Sequence, residues 1–179
     1  TNIHKMTICI IPARSGSKRI KDKNIKRFGG KPIISYAIRL AQSSGLFKRI
    51  VVSTDSHKIS KIAKKYGAEV PFLRSKKLAN DFTPTPDVLI DCIKKISSQA
   101  TKYHFCLYPT TTLVLKKDLI NSFKKIKKID FDHLSTVSEY DASPHRALRF
   151  IGKNRIEYNS KKFVLTRTQD LPKLCHHSG

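Results

Sequence analysis

Acidic residues are scarce in this chain: 13 Asp and Glu stand against 36 Lys and Arg, a formal net charge of +23 over 179 residues. Such an excess raises nucleic-acid binding as a reading, because clustered cations neutralise phosphates. No zinc-finger, basic-zipper or RNP-type signature accompanies it, and most of the lysines fall on polar faces of predicted helices, so a solvated basic surface is the simpler account. Cysteine is sparse too. Cys9, Cys92, Cys106 and Cys175 lie far apart without a C-x-x-C pair, which argues against a zinc site and a disulfide framework. The first three sit in apolar settings that suit buried, reduced thiols. No apolar run approaches the roughly 20 residues of a membrane span, and Thr1 to Lys5 lack the apolar segment of a signal peptide. The expectation is a soluble, cytoplasmic α/β protein of one domain, large enough to bury a core, with no membrane or nucleic-acid partner.

What is present is organised around Ile10 to Asn24. A β-branched run, Met6 to Ile11, reads as a buried strand that ends at Pro12 and opens into a loop of small residues and cations. Gly16, with Ser15 and Ser17, would let backbone N–H groups converge on phosphate oxygens, while Arg14, Lys18, Arg19 and Lys23 would offset a polyanion's charge. The spacing matches neither Gly-x-x-x-x-Gly-Lys-Ser/Thr nor Gly-x-Gly-x-x-Gly. A solvated basic loop is the competing reading. The place just after an early strand favours a ligand, since open α/β sheets bind beyond the carboxyl ends of their strands.

Downstream, strands and helices alternate as in parallel βαβ units. Pro32 to Ser44 reads as a helix with Ile33, Ile34, Ala37, Ile38 and Ala41 on one stripe, stopped by Gly45. Ile50 to Val52 reads as a short strand and a helix follows through Lys65; between them Asp55 either caps that helix, the simpler reading, or sits near bound nucleotide. Gly67 to Leu73 reads as a third strand that delivers Arg74 to a polar connection. Pro86 to Ile96 and Lys116 to Lys128 read as amphipathic helices, Tyr103 to Leu107 and His133 to Val137 as strands, and Phe150 to Tyr158 as a hairpin turning at Gly152-Lys153-Asn154.

Ile11-Pro12-Ala13-Arg14, Gly16-Ser17-Lys18-Arg19 and Lys23-Asn24-Ile25 together resemble the nucleotide-binding signature of the CMP-sugar synthetases, the acylneuraminate cytidylyltransferase family. Lys21 stands where many members have Pro. Arg74, Leu78-Ala79 and Asp81, followed by Thr83 and Thr85, resemble the family's second nucleotide segment. Tyr108-Pro109-Thr110-Thr111-Thr112-Leu113 is similar to its turn at the sugar pocket, with Tyr108 closer to the pseudaminate branch than the Gln of sialic-acid enzymes. Ser143-Pro144-His145-Arg146-Ala147 matches a stretch in which relatives place a cation, and Arg167-Thr168-Gln169-Asp170-Leu171-Pro172 resembles Arg-Ser/Thr-Gln-Asp-Leu-Pro. His176-His177-Ser178-Gly179 replaces the usual His-Asp-x-Gly; two adjacent histidines on extended backbone point to opposite sides and make no metal site.

The resemblance implies a mainly parallel, Rossmann-like α/β sheet flanked by helices, of the nucleotide-diphospho-sugar transferase type. Residues 1–134 would form the nucleotide-binding core and 135–179 an incomplete sugar-binding extension. It implies transfer of CMP from CTP to a nonulosonic acid, pseudaminic acid first, releasing pyrophosphate and serving surface-glycan or flagellin glycosylation. N-acetylneuraminic or legionaminic acid is the alternative acceptor, and an inactive homologue that only binds nucleotide is the alternative of another class. The nucleotide would be held by Ala13, Arg14, Ser15, Gly16, Ser17, Lys23, Asn24, Arg74, Thr83 and Thr85, with Arg14 and Lys23 catalytic. Arg74 and the backbone near Thr83 would read the cytosine edge. Tyr108, Arg146, Arg167 and Gln169 would hold the sugar acid, Arg167 by its bidentate fork. Mg²⁺ is expected, on carboxylates that relatives carry beyond the position of Gly179, where a dimerisation region also lies; family members are homodimers.

Overall fold

The computed structural model describes residues 7–96, 101–129 and 131–177. The expected strand residue Met6 and the terminal Ser178-Gly179 lie outside them. The chain divides into two units, Thr1–Asp130 and Phe131–Gly179.

The first unit runs β1 (Thr7–Pro12), a 3-10 turn at Lys23–Ile25, a small hairpin of β2 (Arg27–Phe28) and β3 (Lys31–Pro32), then α1 (Ile34–Ser44), β4 (Arg49–Ser53) and α2 (His57–Lys65). A second 3-10 turn at Lys76–Leu78 precedes α3 (Thr85–Lys95), β5 (Tyr103–Cys106) and α4 (Lys116–Lys128). β1 is the central strand of a parallel sheet in the order β4-β1-β5, with Ile10 opposite Val51 on one side and Cys106 on the other. Successive side chains of a strand face opposite ways, so β1 feeds two cores. Cys9 and Ile11 pack with Ile34, Ala37 and Ile38 of α1, Ile59 and Ala63 of α2, and Leu119 and Phe123 of α4. Ile8 and Ile10 pack with Val51 and with Cys92 of α3. A sheet covered on both faces accounts for the uninterrupted apolar run of β1. Phe47, Phe105, Tyr103 and Phe123 extend the first core through edge-on ring contacts.

Helix termini follow their local chemistry. Gly45 ends α1 at φ 68°, a left-handed position where any Cβ is strained. The Ser56 hydroxyl accepts from the Ile59 N–H at 3.3 Å and caps α2. Asp118 Oδ2 accepts from the Leu115 N–H at 2.9 Å at the start of α4. Between β2 and β3, Gly29 and Gly30 both have positive φ, as a two-residue hairpin turn of this hand requires.

Three expectations are corrected. Gly67 to Leu73 is not a continuous strand: it touches the sheet at two bridges, Val51 with Glu69 and Thr54 with Leu73. Pro71 lies between them and has no N–H to continue a ladder. Asp55 does not cap α2, because Ser56 does. The strand expected at His133 to Val137 forms instead at β6 (Val137–Glu139), where a ladder partner exists.

In the second unit β6 pairs antiparallel with β9 (Cys175–His177), and β7 (Leu148–Ile151) with β8 (Arg155–Tyr158) across a turn at Gly152, φ 66°. Short 3-10 turns at Pro144–Arg146 and Thr168–Asp170 lie between these ladders.

Candidate functional site

Chain connections leave β1 toward β4 on one side and return at β5 on the other, so a crevice opens beyond the carboxyl end of β1, as strand-order switches do in open α/β sheets. A cleft of about 660 Å³ lies there. Its walls come from the loop after β1 (Pro12, Arg14, Ser17 to Ile20, Lys23, Asn24), from Arg74, Leu78, Asn80, Asp81 and Thr83, from Thr85 and Val88 of α3, and from Tyr108 to Thr110 after β5.

The loop after β1 is fastened at three points. Asp55, at the carboxyl end of β4, accepts from the Ser15 N–H at 2.8 Å and from the Ser15 hydroxyl at 2.6 Å. Asn24, buried, donates from Nδ2 to the Arg14 carbonyl at 2.8 Å and closes the loop across its base. Asp22, in the left-handed region at φ 53°, takes Lys58 of α2 in an ion pair at 2.9 Å. That hydrogen bond and charge hold the Asp22 carboxyl below its ordinary range.

Charge on the wall is strongly one-sided. Arg14, Lys18, Arg19, Lys23 and Arg74 line the cleft against a single carboxylate among the described lining residues, Asp81. Asp81 Oδ1 lies 2.5 Å from Arg14 Nη2 and Oδ2 lies 2.6 Å from Lys18 Nζ. The Lys18 hydrogen bond first, then Arg14, lowers its pKa. Arg74 is buried: its Nε donates to the Ser53 hydroxyl at 3.1 Å and its Nη2 to the Ser53 carbonyl, and desolvation pulls the guanidinium pKa down. A buried cation fixed by neutral acceptors can serve an anionic or carbonyl-bearing ligand with little reorganisation.

The structure gathers most of the sequence-predicted residues. Arg14, Ser17, Lys23, Asn24, Arg74, Thr83, Thr85 and Tyr108 share the cleft. The Tyr108 hydroxyl stands 3.1 Å from Thr85 Oγ1, joining a residue expected at the sugar to one expected at the nucleotide. Ala13, Ser15 and Gly16 are not on its wall. Ala13 is buried, with its N–H on the Ser53 carbonyl at 2.9 Å. The expected convergence of Ser15 to Ser17 N–H groups is corrected as well: the Ser15 N–H serves Asp55, and the Ser17 N–H donates to the Ser15 carbonyl at 2.8 Å. The Ser15 and Ser17 amides are therefore already occupied, and what the loop presents to the cleft is chiefly its cations. Asn80, Ser53 and the pairing role of Asp81 escaped the sequence reading; a Ser directly before Thr54-Asp55 at a strand end was the available signal for Ser53.

Arg146, Arg167 and Gln169 belong to the second unit. Arg146 donates to the Thr166 carbonyl and, from Nη1, to Thr168 Oγ1 at 3.3 Å, while Arg167 pairs with Asp170 at 2.7 Å. Gln169 lies in the Thr168–Asp170 turn and is exposed. The 143–146 turn also holds three enclosed polar atoms without a hydrogen-bond partner among the described residues, Ser143 Oγ, His145 Nε2 and Arg146 Nε. Orphaned groups of this kind are costly unless something polar satisfies them. Among the described residues no group of three or more His, Cys, Asp or Glu side chains could hold a metal ion.

A family profile described as cytidylyltransferase matches residues 8–178. The chain is 38% identical over 174 residues to a pseudaminic acid cytidylyltransferase of Campylobacter jejuni, covering 96% of this chain and 75% of that protein. Over 86 residues, 48% of this chain and 37% of the other, it is 50% identical to a CMP-N,N'-diacetyllegionaminic acid synthase of the same species. Among solved structures, a CMP:2-keto-3-deoxy-manno-octonic acid synthetase complexed with CTP aligns with a TM-score of 0.67 at 17% identity, over 97% of this chain and 72% of that one. At that identity the likeness is one of fold.

Proposed function

The chain belongs to the cytidylyltransferase family, and on that premise we propose that it transfers CMP from CTP to a nonulosonic acid, pseudaminic acid first, with release of pyrophosphate. The observation that carries this reading is the cleft beyond β1, where five cations face one carboxylate across a space of about 660 Å³. A neutral ligand would leave the excess of cations over Asp81 uncompensated, whereas a nucleoside triphosphate offsets it.

In this reading Arg14, Lys18 and Lys23 take the phosphates, and Arg74, anchored on Ser53, faces the base. Thr85 and Tyr108 mark the boundary between nucleotide and acceptor. Arg146, Arg167 and Gln169 recognise the sugar acid, a role supported by the orphaned polar atoms around Arg146. The acceptor's anomeric hydroxyl oxygen attacks the α-phosphorus in line, the bond from that phosphorus to the bridging oxygen breaks, and pyrophosphate leaves. The hydroxyl proton passes to solvent, and cations positioned around the phosphates supply the stabilisation. The described residues do not by themselves make a magnesium site: Asp81, the carboxylate on the wall, is already neutralised by Arg14 and Lys18. No helix among them is long and apolar enough to cross a membrane; the cytoplasm, where CTP is available, is the proposed place of work.

The test is pyrophosphate release with CTP and Mg²⁺, offering pseudaminic, N-acetylneuraminic and legionaminic acids in parallel. Release with pseudaminic acid is expected. Release with another acid alone would change the acceptor, and CTP binding without release from any of the three would replace the transferase by a nucleotide-binding protein.

A further inference from the structure

The Asp81 ion pairs do more than decorate the cleft. Each carboxylate oxygen takes one cation of the loop after β1, Arg14 at 2.5 Å and Lys18 at 2.6 Å, as two oxygens of a phosphate would. We propose that Asp81 is an internal competitor for the polyphosphate: it holds Arg14 and Lys18 before the nucleotide binds and retakes them as pyrophosphate leaves. The inference rests on the reading of this cleft as a triphosphate site.

Two further observations support an exchange rather than a fixed brace. The segment that carries Asp81 closes on itself: Asn80 Oδ1 accepts from the Phe82 and Thr83 N–H groups at 2.7 and 2.9 Å, and Asn80 Nδ2 donates to the Lys77 carbonyl at 2.6 Å. Its fold therefore persists whether or not Asp81 touches the loop. Lys18 is 81% exposed at the side chain, so its pair is screened by water and cheap to break. A triphosphate brings about four negative charges and engages Arg19 and Lys23 in addition, so it wins the exchange. Pyrophosphate, freed from the nucleoside, competes with a carboxylate tethered nearby at high effective concentration.

The experiment is calorimetry on the full chain in EDTA, with inorganic tripolyphosphate and pyrophosphate as probes. Asp81→Asn is expected to bind both roughly fivefold more tightly, by one common factor, because the same internal competitor is removed from each equilibrium. Asp81→Glu should stay near wild type. Asp132→Asn, which changes net charge equally at an exposed site, should leave both affinities alone. Unchanged or weaker binding by Asp81→Asn, or an equal gain in Asp132→Asn, overturns the proposal. Wild-type binding of tripolyphosphate that CTP does not improve would count against the cytidylyl reading, while the Asp81 comparison would still decide this one.

Discussion

Asp55→Ala should weaken CTP binding although Asp55 is not on the cleft wall. The wild-type carboxylate accepts two hydrogen bonds from Ser15, at 2.8 Å and 2.6 Å, and these hold the loop that carries Arg14 and Lys18. Bonds to a charged acceptor contribute roughly 1.5–3 kcal/mol each when enclosed; solvent screening at this half-exposed position takes the two below that range, to about 1–2 kcal/mol for the pair. One effect opposes it. Asp55 also offsets the charge of Arg74, so removing it frees that cation for an anionic ligand, by about 0.5 kcal/mol after screening. Loop ordering is the larger of the two, leaving about 1 kcal/mol, or roughly a fivefold rise in the Kd for CTP. Calorimetric titration with CTP reads this directly, and Ser15→Ala, which deletes only the hydroxyl bond, should lie between the variant and wild type. The same two bonds tie the loop to the end of β4 in the folded chain, so the thermal midpoint should fall by a few degrees, while the cap of α2 on Ser56 stays intact. An unchanged or tighter Kd in Asp55→Ala would refute the argument.

Arg14→Ala removes a cation with two tasks, and it should weaken CTP at least tenfold by calorimetry; the same change at exposed Arg27 serves as control and should have little effect. Arg167→Lys should raise the acceptor KM with CTP affinity unchanged, because an ammonium lacks the planar fork, and a shift in CTP affinity alone would remove Arg167 from the sugar acid. Burial pushes the Cys92 and Cys106 thiols up to about 11 and Cys9 higher still, from an ordinary 9.0. The folded state therefore retains protons that the unfolded chain loses above pH 9, so stability contributed by these thiols is intact below that pH and declines from pH 9 toward 11. Urea midpoints measured across that window should fall, and mutating Cys92 and Cys106 to Ala should flatten the decline. At pH 8 a thiol reagent should label exposed Cys175 quickly and the buried Cys9 and Cys92 only after unfolding.

Much of the first unit was legible because its signals are local. The apolar run of β1, the stripe of α1 with Gly45 behind it, and the amphipathic pattern of α4 each bury a face that the sequence marks by period. The 67–73 segment was misread because β-branched and apolar residues suggest a strand, while pairing depends on which neighbour presents a free edge and on Pro71. His133 to Thr136 failed for the same reason: a strand exists only where a partner lies, and Cys175–His177 reaches Val137–Glu139.

The loop after β1 divides along the same line. Its cations and small residues after a buried strand, with Arg74 and Thr83 to Thr85 downstream, carried the resemblance to the family and the expectation of a polyanion. Which groups are free to meet a ligand was decided only in three dimensions. Asp55 lies 40 residues from Ser15 and takes its N–H and hydroxyl, Ser53 anchors Arg74, and Asp81 returns to Arg14 and Lys18. Hydrogen bonds and ion pairs depend on distances of a few ångströms, and contacts so remote in sequence acquire those distances only when β1 and β4 lie side by side and the chain folds back over their ends.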